Sequence, residues 1–176
     1  MSGRHANNWD TAEVRTIYET HVQYLFSVCR RYITDPEDAK DVLQESFIKI
    51  FNNLHRFEER GPGSLRAWMR RIVVNESLSR LRAHPGAQQL RYDEGQHELP
   101  DEDPQIEGIP LQVLQEMIRS LPDGYRTVFN LRVFEEMEHK EIASLLGISE
   151  NTSYSQFSRA RALLAENIKK YRNNGR

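Results

Sequence analysis

The sequence predicts an all-α protein in which a flexible acidic linker joins two small helical domains. Apolar residues recur at steps of three and four in both halves of the 176-residue chain, which is the pattern of amphipathic helices. No segment of any length alternates polar and apolar residues as a half-buried strand would. Between positions 83 and 110 the helical periodicity stops, and this stretch holds seven acidic residues against one arginine. Low apolar content and like charge predict an extended, mobile linker there.

Three packed helices are predicted for the first domain, residues 10–83. Apolar positions place the first helix over about 14–33 and the second over about 36–54. Gly61-Pro62-Gly63 breaks the chain, and Ser64 is predicted to cap a third helix that ends near Arg82. Three amphipathic helices of this length are enough to enclose one small core.

The start of the second helix carries explicit signals. In the sequence Thr34-Asp35-Pro36-Glu37, Thr34 is predicted to be the N-cap and Glu37 to complete a capping box. Pro36 suits the first turn, where its missing N–H group costs nothing. The acidic cluster of Asp35, Glu37, Asp38 and Asp41 complements the helix dipole, so it needs no catalytic explanation.

Four helices are predicted for the second domain, residues 111–172, after a linker at 84–110. Periodicity returns at Leu111, and Pro122-Asp123 opens the next helix. Two further helices are predicted at about 138–146 and 150–171. Gly147 is placed to end the first of these in a left-handed conformation, and Ser149 to cap the second. A short glycine-containing turn between two helices is the helix-turn-helix pattern, whose second helix enters the DNA major groove.

The last helix is predicted to turn one side to the core and the opposite side to DNA. At about 100° per residue, the core side holds Ser153, Phe157, Ala160 and Leu164. The opposite side holds Asn151, Thr152, Ser155, Gln156 and Arg159. Amide, hydroxyl and guanidinium groups of this kind contact base edges, and Arg161 is predicted to contact a phosphate. An ordinary solvated helix face is the alternative explanation.

The third helix lies in a second basic block, since residues 55–82 hold seven Lys/Arg against three acids. An aromatic side chain, arginines and an amide recur along it at steps of three and four, with a serine beside them: Trp68, Arg71, Asn75, Leu78, Arg82 and Ser79. Aromatic residues interleaved with arginines suit unstacked bases of single strands. Alternatively, Trp68 is a core residue and the arginines are solvated.

Several classes of protein are excluded by what the sequence lacks. No phosphate-binding glycine motif, metal-ligand spacing, or nucleophile with a base is present, so neither an enzyme nor a cofactor is expected. No apolar run approaches the ~18 residues of a membrane span, and the N-terminus lacks a secretory signal. Cys29 is the only cysteine. We therefore expect a cytoplasmic protein in which Cys29 is a buried hydrophobic residue rather than a redox sensor.

Three segments together resemble bacterial RNA polymerase sigma factors. DAKDVLQESFIK, residues 38–49, is similar to the second region of that family. SLRAWMRRIVVNESLSRLR, residues 64–82, is similar to the adjoining part that recognises and melts the −10 promoter element. Residues 121–164 resemble the fourth region, which binds the −35 element. The two-domain layout is that of the extracytoplasmic-function (ECF) group.

The resemblance implies partners and residue roles. Core RNA polymerase is the expected partner, through its β′ coiled coil and its β flap, together with double-stranded promoter DNA, single-stranded −10 DNA and an anti-sigma factor. The resemblance places Asp41, Gln44, Glu45 and Phe47 on the β′ coiled coil. It implies that Asn75 binds a flipped base of the −10 element and that the loop 57–64 helps to enclose that base. It also places the linker in the RNA path of the polymerase, and our hypothesis is that the acidic residues of the linker imitate nucleic acid in a basic channel there.

Some positions depart from the family pattern. Tyr154 stands where lysine is frequent, Gln156 where arginine is frequent, and Ser153 where valine is usual. Two alternatives to a sigma factor also fit the chain. One is a stand-alone helix-turn-helix regulator, which requires a dimer and a palindromic site. The other is a sigma-like interaction protein that binds polymerase without starting transcription.

Overall fold

The computed structural model describes residues 10–83 and 106–174, and the regular structure within them is entirely helical. The chain divides into two compact units, residues 1–83 and 84–176. This confirms the predicted all-α fold of two domains. Most of the predicted linker, residues 84–105, lies outside the described residues. The helices are α1 (Thr11–Tyr32), α2 (Pro36–Asn53), a 3₁₀ turn (Leu54–Arg56), α3 (Ser64–Ala83), α4 (Leu111–Arg119), α5 (Asp123–Val133), α6 (His139–Leu146) and α7 (Glu150–Asn174).

In the first unit, α1, α2 and α3 pack against one another in every pairwise combination. Each helix contributes large side chains that are fully buried, among them Leu25, Ile50 and Met69. These positions belong to the three- and four-residue repeats that the sequence shows, because residues at that spacing share one helix face. The apolar repeats of the first domain therefore form its core.

Cys29 is part of this core, as predicted. It is fully buried, its thiol lies 3.4 Å from the Ala39 carbonyl oxygen, and the Ser77 hydroxyl approaches the sulfur at 3.6 Å. Burial raises the pKa of the Cys29 thiol, against a smaller opposing effect of Ser77 and Arg30. A buried thiol held in its neutral form is a poor nucleophile.

The cap of α2 differs from the prediction by one residue. Asp35, not Thr34, is the N-cap, and its carboxylate accepts hydrogen bonds of 2.9 Å from the N–H groups of Glu37 and Asp38. The reason is Pro36, which occupies the first helical position and favours an extended conformation for the residue before it. An aspartate at this point also complements the helix dipole better than a threonine does.

In the second unit, α7 packs mainly against α5 and α6. Val128, Leu131, Ile142 and Ala160 are fully buried at this junction. A cluster of Leu121, Ala160 and Leu164 continues the core towards α4. One long helix thus forms the spine against which three short helices pack.

The predicted helix-turn-helix is present between α6 and α7. Gly147 adopts a left-handed conformation with φ of 66°, and the Ile148 N–H donates to the Ala143 carbonyl at 3.1 Å. The hydroxyl of Ser149 accepts from the Thr152 N–H at 3.0 Å, which confirms its predicted role as a cap. None of the helices within residues 10–83 and 106–174 is long and apolar enough to span a membrane.

Candidate nucleic-acid interface

A row of polar side chains runs along the exposed side of α3. Arg71, Asn75, Ser79 and Arg82, which we call the α3 row, are all exposed. Arg82 Nη2 lies 3.3 Å from the Ser79 hydroxyl. Within the described parts of the chain, no hydrogen bond engages the Asn75 amide. An amide offers two donors and an acceptor, so Asn75 presents a group that matches a base edge.

Two neighbours of the α3 row are not free side chains. Leu78, which the sequence pattern placed with the row, is 1% exposed and belongs to the core. Trp68 is half-buried, and its ring packs against Phe57 at a centroid distance of 5.4 Å. This contact attaches the segment after α2 to the start of α3. Trp68 therefore both anchors that segment and shows part of its ring beside Arg71.

The other charged residues of α3 hold the helix in place. Arg80 Nη2 donates to Asp38 Oδ1 of α2 at 2.6 Å, and Glu76 pairs with Lys49 at 2.5 Å. The Arg66 guanidinium lies 3.6 Å from the centre of the Tyr24 ring on α1. Arg66 and Arg80 thus contact α1 and α2, whereas Arg71 and Arg82 lie in the α3 row.

The four residues assigned to polymerase docking are not equivalent. Asp41, Gln44 and Glu45 are exposed on one side of α2. Phe47, predicted as a fourth contact, is 4% exposed. It is held between two other rings, with centroid distances of 4.7 Å to Tyr18 and 5.6 Å to Phe51. The ring of Phe47 therefore fills the junction of α1 and α2 and does not project from α2 with the three polar residues.

Phe47 instead forms the floor of an apolar groove next to the three polar residues. The groove has a volume of about 510 Å³ and lies between α1 and α2. Its rim includes two exposed hydrophobic side chains, Tyr18 at 45% and Ile48 at 54% exposure. Polar residues beside an apolar groove form a surface of the kind that docks another helix.

On α7, two of the predicted DNA-contacting residues lie inside the domain. Gln156 is 1% exposed and Arg159 is 3% exposed, although the sequence pattern placed both on the side away from the core. The cause is the first turn of α5. A Cβ atom on Gly124 would lie 3.3 Å from the Gln156 amide, and Arg159 Nη1 lies 3.2 Å from the Tyr125 hydroxyl. Helix α5 therefore covers a side of α7 that the sequence left open.

The exposed side of α7 is consequently rotated from the predicted one by roughly 100°, or one residue position. Asn151 remains exposed, and Thr152, Ser155 and Arg161 are half-buried. Tyr154, which the sequence pattern did not select, is 52% exposed and lies in the middle of this side. Its only signal in the sequence was its departure from the usual lysine.

His139, the first residue of α6, sits beneath the start of α7. It is 5% exposed, and its Nδ1 lies 2.8 Å from the Ser153 hydroxyl. Burial lowers the pKa of His139, and the positive charge of Arg132 acts in the same direction, against smaller effects of Glu138 and Glu150. The folded domain therefore favours the neutral imidazole.

A pH dependence of stability follows from this. In the unfolded chain His139 takes up a proton as pH falls through about 6.5, whereas the folded domain resists protonation until lower pH. The contribution of the neutral imidazole to stability is thus fully present above about pH 6.5 and is lost as pH falls through the folded pKa. We expect thermal melts of His139→Gln to change less between about pH 7.5 and pH 5.5 than those of the parent. An equal change in both proteins would contradict this. Burial and the charge of Arg66 also lower the pKa of His21. Because His21 is present in both proteins, its effect on the melts is the same in both.

Arg159 and Arg161 are expected to respond differently to alanine. Arg159→Ala removes the contact with Tyr125 and should destabilise the domain by about 1–3 kcal/mol. Arg161→Ala should lower the melting temperature less than Arg159→Ala does, because Arg161 is only half-buried, and should lower the salt dependence of duplex binding by about one phosphate contact. Circular-dichroism melts and binding titrations at several salt concentrations measure the two effects. An unchanged melting temperature for Arg159→Ala would show that the burial of this side chain contributes nothing to the stability of the domain.

No cluster of potential metal ligands occurs among the residues that the structure describes. The geometry instead offers three separate surfaces: the α3 row, the polar side of α2 with its groove, and the exposed side of α7. None of them brings together a nucleophile and a base. All three are suited to binding nucleic acid or protein.

Comparison with known proteins assigns the two units to one family. The family model for sigma-70 region 2 matches residues 17–85, and that for sigma-70 region 4 matches residues 111–164. The RNA polymerase sigma-H factor of Pseudomonas aeruginosa is 32% identical over 143 residues, which cover 74% of this chain and 73% of that protein. The ECF RNA polymerase sigma factor SigE of Mycolicibacterium smegmatis is 27% identical over 169 residues. The match covers 93% of this chain but 63% of SigE, so the chain spans less than two thirds of that relative.

A solved structure supports the fold alone. The sigma factor RpoE from Bartonella quintana, in complex with the anti-sigma factor NepR, matches with a TM-score of 0.52 at 20% identity. That match covers 90% of this chain and 98% of RpoE.

A helical unit that matches region 2, followed by a helix-turn-helix unit that matches region 4, is the two-region arrangement of a sigma factor. The chain belongs to the sigma-70 family of bacterial RNA polymerase sigma factors. Its two-region organisation and its relatives place it in the ECF group.

Proposed function

We propose that this chain is a dissociable subunit of RNA polymerase that recognises promoters and opens DNA, acting in the cytoplasm without covalent chemistry. The observation that carries the proposal is the α3 row, because a helix-turn-helix regulator that only binds duplex DNA has no need of it. An exposed amide flanked by arginines and a partly exposed tryptophan provides what an unstacked strand requires. Binding energy to the separated strand then offsets the cost of flipping a base.

The roles divide between the units. In the first unit, Asp41, Gln44 and Glu45 bind the β′ coiled coil of the core enzyme beside the α1–α2 groove, and the α3 row with Trp68 binds the −10 strand. In the second unit, Asn151, Thr152 and Ser155 contact the −35 duplex and Arg161 a phosphate, while the unit rests on the β flap. Gln156 and Arg159 support this surface from inside the domain. Residues 84–110 connect the two activities.

An anti-sigma factor is the expected regulator. The solved relative RpoE is held by such a protein, and a free promoter-binding subunit needs control of its access to the core enzyme. The exposed rim of the α1–α2 groove, Tyr18 and Ile48, is apolar surface that a regulator covers at the expense of polymerase binding.

Transcription in vitro tests the proposal. The purified chain is added to sigma-free core polymerase from the source bacterium, with a fragment library of its genome as template. Discrete start sites that share upstream motifs are expected. Tight core binding without initiation would instead indicate a sigma-like interaction protein. The absence of both core binding and initiation would indicate a stand-alone DNA-binding regulator.

A further inference from the structure

Tyr154 is attached to the fold through an interaction that no other exposed residue of α7 makes in the described part of the chain. Its ring packs in a tilted arrangement on the buried imidazole of His139, with a centroid distance of 3.9 Å and an angle of 34° between the planes. His139 is fixed in turn by the hydrogen bond between its Nδ1 and the Ser153 hydroxyl and by the ring of Phe157, 5.5 Å away. One face of an exposed side chain is thus covered by a buried platform.

The platform restricts the orientation of Tyr154 before any DNA is bound. A tyrosine has few rotatable bonds, and stacking removes part of the freedom that remains, so little entropy is lost on contact with a partner. A lysine at this place would bring a flexible point charge suited to a phosphate. Tyr154 brings an uncharged ring edge and a hydroxyl that both donates and accepts. Such groups distinguish base edges in the major groove, whereas phosphate contacts carry no sequence information.

We propose that Tyr154 is a specificity-determining residue for the duplex element bound by α7, and that His139 and Ser153 are positioning residues for its ring. The proposal rests on the function proposed above, because it concerns the same helix. Ser153 and Tyr154 both depart from the family pattern and both contact His139. They therefore act as one unit: the serine orients the imidazole, and the imidazole orients the tyrosine towards a base pair.

The experiment uses holoenzyme reconstituted from core polymerase and the full chain. Promoter fragments with a randomised −35 element are selected by binding and sequenced, for the parent, Tyr154→Ala, Tyr154→Lys and Tyr171→Ala. Tyr171 is a matched control, because it is an exposed tyrosine (40%) near the other end of the same helix. Tyr154→Ala should lose about tenfold in discrimination at one base pair, with the salt dependence unchanged. Tyr154→Lys should lose the same discrimination and steepen the salt dependence by about one phosphate contact.

The positioning role is tested with His139→Ala and His139→Phe. The phenylalanine keeps an aromatic platform and should retain the base preference, whereas the alanine should lose it. Base preference is a ratio between sequences, so partial unfolding lowers binding to all of them equally and leaves the preference intact. Identical preferences for the parent and Tyr154→Ala would overturn the proposal. A parent holoenzyme that selects no upstream motif would instead overturn the proposed function, and with it the basis for the proposal about Tyr154.

Discussion

Asn75→Ala is expected to slow open-complex formation by roughly five- to 150-fold while leaving the closed complex and core binding intact. On the proposed function, the exposed amide of Asn75 meets a base only after that base has left the stack. Loss of one such polar contact costs about 1–3 kcal/mol, which gives the stated factor. Permanganate reactivity of unpaired thymines measures opening, and gel shifts on ice measure the closed complex.

A matched control for this substitution is Asn173→Ala, since Asn173 is an exposed asparagine near the end of α7. It should open promoters at the parental rate. Equal losses of closed-complex binding and opening in Asn75→Ala, with the fold intact, would contradict a role confined to the melted strand. The α3 row would then be a general DNA-binding surface.

Arg126→Ala is expected to destabilise the second unit by about 2–4 kcal/mol. Arg126 is 3% exposed, and its Nη1 donates to the carbonyl oxygens of Leu121 at 2.7 Å and Arg119 at 3.2 Å. Its Nη2 pairs with Asp123 at 2.5 Å. Without the guanidinium, the carbonyl groups at and just beyond the end of α4 lose this donor, and a cavity opens beneath them. In a helical unit this small, that loss is a large part of the total stability.

Calorimetry or circular dichroism of the full chain measures this effect as a lower melting transition for the second unit. Lys170→Ala is the control, because Lys170 pairs with Glu166 only on the exposed surface of α7, and such pairs contribute little. A melting temperature for Arg126→Ala equal to that of the control would show that other donors replace the guanidinium.

The sequence was sufficient to predict a feature wherever one local pattern has only one structural outcome. Gly147 had to end α6, because few other residues adopt its left-handed conformation, and Ser149 had to follow as a cap. The α3 row was also predictable, because positions 71, 75, 79 and 82 stay on one face of any straight helix. Repeats of apolar residues fixed the number of helices for the same reason. These features depend on the geometry of a single element.

The tertiary structure decided which faces remain exposed. Nothing in residues 150–174 shows that the first turn of α5 covers Gln156 and Arg159, so the exposed side of α7 was placed one residue position too late. The resemblance assigned Phe47 to a partner, and α2 by itself does not reveal that Tyr18 of α1 packs on its ring. The contact of Tyr154 with His139 joins residues 15 positions apart across the turn. Helical periodicity determines which residues share a face, but burial depends on where the other helices pack, and that is a property of the whole domain.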